Sequence, residues 1–226
     1  PADGGYASYY GLSEDPFARQ EGDFFVTAKI EKLLGLLDYI THFSQKLVVV
    51  HGPPGSGKTS ILDYFVERLD ETDSCCRIEA LALDTETQVL REINRQLGVE
   101  NEDTKDYTQL AEHLKDYLLD LAADSANCLI LVDNAHLFNK PVLKALCELA
   151  ADACSALHIV LLGQDALVAE LKAIDTLKNN EQLLYTHRLE PFSVVEIKQY
   201  LGELFASVGD ADKIPFTDQD YLEIHQ

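Results

Sequence analysis

The segment Gly52-Pro53-Pro54-Gly55-Ser56-Gly57-Lys58-Thr59 fits the pattern G-x-x-x-x-G-K-[ST], and its flanks say how it folds. The apolar run Leu47-Val48-Val49-Val50 before it reads as a short buried strand. After it, Ile61, Leu62, Phe65, Val66 and Leu69 recur at helical spacing, so a helix over 58–69 is expected. A glycine-rich turn between strand and helix lets successive backbone N–H groups point inward around phosphate oxygens. The helix N-terminus adds partial positive charge. Lys58 is expected to reach the β- and γ-phosphates and the Thr59 hydroxyl to ligate Mg2+. The eight loop residues, with Ser60 beside them, are thus the expected contacts of ATP or ADP.

A strand alternates with a helix along most of the chain. A helix over 27–43 precedes the loop. Beyond it come a strand over 78–83, helices over 87–97 and 107–123, and a strand over 128–132. A helix over 141–151, opened by Pro141, leads to a strand over 158–162, a helix over 166–177 and a fifth strand over 183–189. Short Val/Ile/Leu-rich strands separated by helices argue for a parallel sheet covered on both faces. After Pro191 the strands stop. Ser193 and Glu196 form a capping-box pattern that opens a helix to about Val208, and another helix begins near Thr217 and runs on to Gln226. Residues 1–190 read as an α/β domain and residues 191–226 as a small helical domain cut short. Residues 1–8 are expected to be poorly ordered and 100–106 to form a solvated acidic loop.

A phosphate loop needs a second group to hold the metal. Leu129-Ile130-Leu131-Val132-Asp133 supplies a buried strand that ends in a carboxylate, at the strand end where α/β proteins build ligand sites. Asp133 is expected to hold Mg2+ through water. Many ATPases of this design place Glu next, as the base that polarises the attacking water. Here the residue is Asn134, whose amide can orient water but cannot usefully take its proton. Hydrolysis is then slow, or another group serves, and His136 and Asp84 are the candidates. Gln164, after Gly163 at the end of the fourth strand, either senses the γ-phosphate and aligns water or caps the following turn.

Length and composition set limits. At 226 residues, the chain holds one full domain and part of a second. Hydrophobic residues at 46% and charged residues at 25% exclude disorder throughout. A net charge of −21 opposes general binding to phosphate backbones or anionic lipid, so no direct nucleic acid is expected, although a local basic pocket for a nucleotide is compatible with it. Five cysteines without a CxxC spacing read as reduced thiols, several of them buried, rather than as a zinc site. The longest apolar run, Cys128 to Val132, is too short to span a bilayer, and no signal peptide is evident. The absence of Met, even at position 1, reads as a segment of a longer protein.

These residues together are similar to the AAA+ ATPases of the ExeA/GspA type, associated with bacterial type II secretion. Relatives include pilus-assembly ATPases, envelope proteins with a peptidoglycan-binding or SPOR domain, and transposition ATPases of the TniB kind. The resemblance begins at Tyr10-Gly11-Leu12 and Pro16-Phe17 and continues through Phe24-Phe25 and the phosphate loop. It takes in Leu131-Val132-Asp133 and Leu162-Gly163-Gln164, and it ends with Arg188 to Ser193 and Ile224-His225.

The resemblance implies a P-loop NTPase of the AAA+, ASCE type: an αβα sandwich with a five-stranded parallel sheet, followed by a truncated α-helical lid. It implies that Tyr10, Leu12 and Phe17 lie near the adenine, and that the lid's Gly-x-Pro-Arg motif falls beyond Gln226. It also implies a cytoplasmic domain of a larger inner-membrane-associated protein, with cell-envelope or secretion proteins as partners and peptidoglycan bound by a further C-terminal domain. Two positions depart from the family: Asn134 stands where Glu is usual, and the stretch Lys178 to Gln182 lacks the expected arginine finger. Arg188 is the nearest arginine, either a finger or the partner of a surface carboxylate. The leading expectation is an ATP-binding domain with Lys58, Asp133, Asn134 and Gln164 in the catalytic set. Its nucleotide state would control a homo-oligomeric interface and assembly of an envelope machine. The alternatives are a nucleotide-binding scaffold without turnover and a DNA-linked ATPase of transposition or replication.

Overall fold

The computed structural model describes residues 9–17, 24–43, 47–69, 72–99, 106–152, 156–208 and 214–225. These fall into two compact units. One is residues 29–190; the other joins the described part of residues 1–28 to the described part of 191–226.

The larger unit is built on a five-stranded, all-parallel sheet in the order β2-β3-β4-β1-β5. Helix α1 (Ala28–Phe43) leads into β1 (Leu47–His51), then α2 (Lys58–Val66), β2 (Ser74–Glu79), α3 (Glu86–Gln96) and α4 (Tyr107–Ala123). The chain continues through β3 (Cys128–Asp133), α5 (Lys140–Asp152), β4 (Leu157–Gly163), α6 (Asp165–Lys172), the short turn α7 (Asp175–Lys178) and β5 (Leu184–Arg188). Side chains alternate between faces along a strand. Leu47, Val49, Cys76, Ile78, Ile130, Val132, Ile159 and Leu161 pack in one apolar core with α3 to α7. Their neighbours Val48, Val50, Leu129, Leu131, Val160 and Leu162 face the other way and are just as buried. The buried stripes of α1 (Ile30, Leu33, Leu34, Leu37, Ile40) and α2 (Ile61, Leu62, Phe65) stand outside the first core, as a second covering layer requires. The expected αβα sandwich is the observed fold.

The structure departs most from the sequence reading at two elements. The second strand is Ser74–Glu79, not 78–83, and Ala80–Ala82 form a 3-10 turn. As a sheet edge, β2 needs apolar residues on one face only, so Cys76 and Ile78 are buried while Arg77 and Glu79 are exposed. The apolar run over 80–83, which the sequence reading took into its strand over 78–83, begins just past it. The helix over 166–177 is interrupted at Ala173-Ile174, where the backbone of Ile174 is extended. Cys75, Cys76 and Cys147 are free thiols, and Cys154 lies outside the described residues. Burial pushes the Cys76 and Cys147 thiols up to about 12 and Cys75 up to about 11, so they behave as small apolar side chains.

The smaller unit contains α8 (Val194–Ser207) and α9 (Asp218–His225). The capping box at the start of α8 forms as expected: the Ser193 hydroxyl accepts from the Glu196 N–H at 3.3 Å, and the Glu196 carboxylate accepts from the Ser193 N–H at 2.7 Å. Ile197, Leu201 and Tyr221 form its core with Phe192, Tyr200 and Phe216 around them. Phe25 packs against Phe192 and Tyr200, each with ring centroids 5.6 Å apart, and Phe17 packs edge-on against Phe205 at 6.2 Å. Residues before α1 therefore group with the C-terminal helices by packing, whereas the sequence reading drew one domain over 1–190. Two short helices bury little apolar surface alone, and the two N-terminal rings enlarge that core.

Candidate nucleotide-binding site

Topology sets the place. The chain leaves β1 toward β2 and leaves β4 toward β5, so the loops at these adjacent strand tips part and open a crevice. The loop 52–57 occupies the tip of β1, and Gln164 follows β4 there. Gly57 sits just before α2 with φ 86°, a left-handed backbone that a residue with a Cβ resists, and it has no side chain to cap the helix. The first N–H groups of α2 are left pointing into the loop, where an anion can take them. Gly52 is needed for another reason: a Cβ there would lie 2.4 Å from the Leu189 carbonyl oxygen.

Lys58 Nζ lies inside the loop. It donates to the Gly52 carbonyl at 3.0 Å, the Pro53 carbonyl at 2.7 Å and Ser56 Oγ at 3.2 Å. Burial lowers its pKa below the usual lysine range, while the Asp133 and Asp165 charges pull the other way. Phosphate oxygens are better acceptors for this ammonium than two carbonyls, because the bond is then charged on both sides.

Asp133 is 2% exposed at the tip of β3. Its Oδ2 accepts from the Thr59 hydroxyl at 2.8 Å, and its Oδ1 accepts from the Asn134 N–H at 2.8 Å. The first bond joins the phosphate-loop helix to the expected metal carboxylate across 74 residues of sequence. A hydroxyl and a carboxylate held this way are a hard oxygen donor set, which fits Mg2+. Arg77 Nη2, from β2, lies 3.9 Å from the same Oδ2 and pairs through Nη1 with Asp63 of α2.

The remaining expected residues sit as follows. Asn134 is half-buried with φ 55° and ψ 30°, and its side chain does not cap the 3-10 turn over Ala135–Leu137. His136 belongs to that turn, and its Nδ1 is buried without a hydrogen-bond partner among the described residues. Gln164 is exposed and its side chain makes no capping bond to α6, so the capping role is not the one it has here. Asp84 is an exposed loop carboxylate whose carbonyl accepts from Asn139. Arg188 is tied to Asp165 at 3.3 Å and to Glu190, the surface pairing that was the alternative to a finger. Those bonds hold Arg188 above and Asp165 below their usual ranges; His51, bonded to Asp165 at 2.7 Å, is the larger cause for Asp165. In the smaller unit, Phe17 is engaged with Phe205 and Tyr10 with Tyr9, and Leu12 is half-buried.

Four residues of the site escaped the sequence reading. Arg77 was hidden because β2 was placed four residues too late. Asp63, His51 and Asp165 carry no local signal, since their partners come from other elements.

No curated protein matches this chain in sequence. Among solved structures, Cdc6p from Pyrobaculum aerophilum superposes with a TM-score of 0.61 at 18% identity, over 89% of this chain and 53% of that one. The ORC2 protein of Aeropyrum pernix in its ADP form gives 0.63 at 16% identity, over 84% and 55%. The ORC1 protein of Aeropyrum pernix in complex with DNA gives 0.56 at 14%, over 80% and 49%. The chain thus spans about half the length of these proteins, and the likeness is one of fold. A family model described as an AAA domain matches residues 41–170, more than half of the chain, including the phosphate loop, Asp133 and Gln164. The chain belongs to the AAA domain family, and its larger unit is an AAA+ nucleotide-binding domain.

Proposed function

We propose that this domain binds Mg2+-ATP at the phosphate loop and acts as a slow ATP switch, its nucleotide state governing association with partner proteins. The observation that carries the reading is the 2.8 Å bond between Thr59 and Asp133, since it assembles the two halves of a phosphate-and-metal site. The loop N–H groups and Lys58 hold the β- and γ-phosphates. Thr59 and Asp133 hold Mg2+, which shields the phosphate charge when bound. Asn134 orients water without taking its proton, which makes turnover slow. His136, in the turn that follows β3, is the group to examine as the substitute base.

The resemblance to ExeA/GspA-type ATPases points to a cell-envelope or secretion machine as the partner. A second reading, a DNA-linked ATPase, is supported by the fold shared with an ORC1 protein solved in complex with DNA. The net charge of −21 weighs against DNA contact by this segment itself.

Titration of a fluorescent ATP analogue, beside phosphate release, tests the proposal. Wild type is expected to bind, and Lys58→Ala to bind about 10- to 100-fold more weakly, the loss of charged hydrogen bonds to phosphate. Equal affinity of the two proteins overturns the reading. Salt-dependent binding of duplex DNA by this segment would favour the second reading over the first.

A further inference from the structure

Arg77 stands on an edge strand yet is fixed at both ends. Its backbone N–H donates to the Gln96 side-chain oxygen at 2.8 Å, and its carbonyl accepts from the same amide at 2.7 Å. At the far end, one arm of the guanidinium pairs with Asp63 on α2 and the other reaches to 3.9 Å from Asp133 Oδ2. Asp133 thus has two kinds of partner. Thr59 and the Asn134 N–H aim it, and Arg77 supplies a full positive charge beside the oxygen that Thr59 also uses.

We propose that Arg77 is a positioning residue of the Mg2+ subsite, a built-in cation that offsets the buried Asp133 charge and so makes nucleotide binding less dependent on Mg2+. This rests on the nucleotide reading above. The direction follows from electrostatics. Without metal, the phosphates must approach the Asp133 carboxylate, and Arg77 reduces that repulsion. With metal, Arg77 opposes the arriving dication. Removing it therefore weakens metal-free binding and eases metal-bound binding, and both changes raise the ratio of Kd in EDTA to Kd in Mg2+. Asp63 keeps the guanidinium from swinging into solvent, which the partial exposure of Arg77 would otherwise allow.

The experiment is titration of a fluorescent ADP, in EDTA and in excess Mg2+, with wild type, Arg77→Gln, Arg77→Lys and Asp63→Asn. Arg77→Gln is expected to raise the Kd ratio about fivefold, the scale of one partly exposed charge pair. Arg77→Lys restores the charge without the two-armed grip and should recover part of the change. Asp63→Asn unties Arg77 but also removes a negative charge beside it, and the two act oppositely, so its ratio should move less than that of Arg77→Gln. If Arg77→Gln does not fold, the Arg77→Lys ratio carries the test. Ratios equal to wild type in every folded variant overturn the role of Arg77 while leaving nucleotide binding intact. A wild type that binds no ADP in Mg2+ overturns the underlying reading instead.

Discussion

At the scale of single residues, Asn134 illustrates how a backbone angle constrains a chemical interpretation. As a letter in the sequence, it is the amide that replaces a catalytic Glu. In the structure it also occupies φ 55°, ψ 30°, a left-handed conformation that Asn tolerates better than most residues with a Cβ. Restoring a carboxylate there therefore carries a conformational cost. Asn134→Glu and Asn134→Ala are each expected to lose about 1 kcal/mol of stability, and Asn134→Gly to lose almost none. Urea unfolding of the three variants checks this. If the glycine variant falls as far as the others, the native amide makes a contact that matters more than the backbone. Lys58 shows the complementary case, in which its place in the motif was enough to expect its ammonium at the loop, where it meets the Gly52 and Pro53 carbonyls.

At the scale of elements, the edge strand β2 repays attention because an exposed edge presents unpaired backbone groups. Gln96, at the end of α3, takes both the N–H and the carbonyl of Arg77, acting as a one-residue substitute for a neighbouring strand. Its amide also donates to Glu92 at 2.7 Å, and Glu92 is held below the usual carboxylate range by Arg95 first and by Gln96 second. Gln96→Ala removes two bonds to the edge and is expected to cost about 1 kcal/mol. Native-state hydrogen exchange should show the Arg77 amide losing about fivefold in protection, while the amides of β3 keep theirs. Unchanged protection at Arg77 would mean that water replaces the glutamine without loss. The strands β1, β3 and β4 were legible in advance because they are buried on both faces, and an unbroken apolar run is what two covered faces demand. The edge was not, because its half-polar alternation beside an apolar turn can be read in more than one register.

At the scale of the whole molecule, the two units draw on the chain differently. The larger is continuous in sequence, and the smaller is assembled from its two ends. Phe25 contributes to the smaller unit through Phe192 and Tyr200. Phe25→Ala is expected to cost that unit about 2 kcal/mol, less than a fully buried phenylalanine because the ring is half-buried. Hydrogen exchange should register the loss in α8 and leave β3 and β4 unaffected. A uniform loss across both units would show that they unfold together.

What the sequence determined by itself was the phosphate loop, the carboxylate at the end of the third strand, and a sandwich of parallel strands and helices. These follow from short-range rules: a glycine spacing, a buried strand ending in Asp133, and the periods of apolar residues. Tertiary structure decided which strand tips became neighbours. It brought Thr59 to Asp133, set Arg77 of the edge strand between Asp63 and Asp133, and tied His51 and Arg188 to Asp165. None of those pairs lies within a single element. Their proximity comes from strand order and sheet register, which depend on how all five strands pack together.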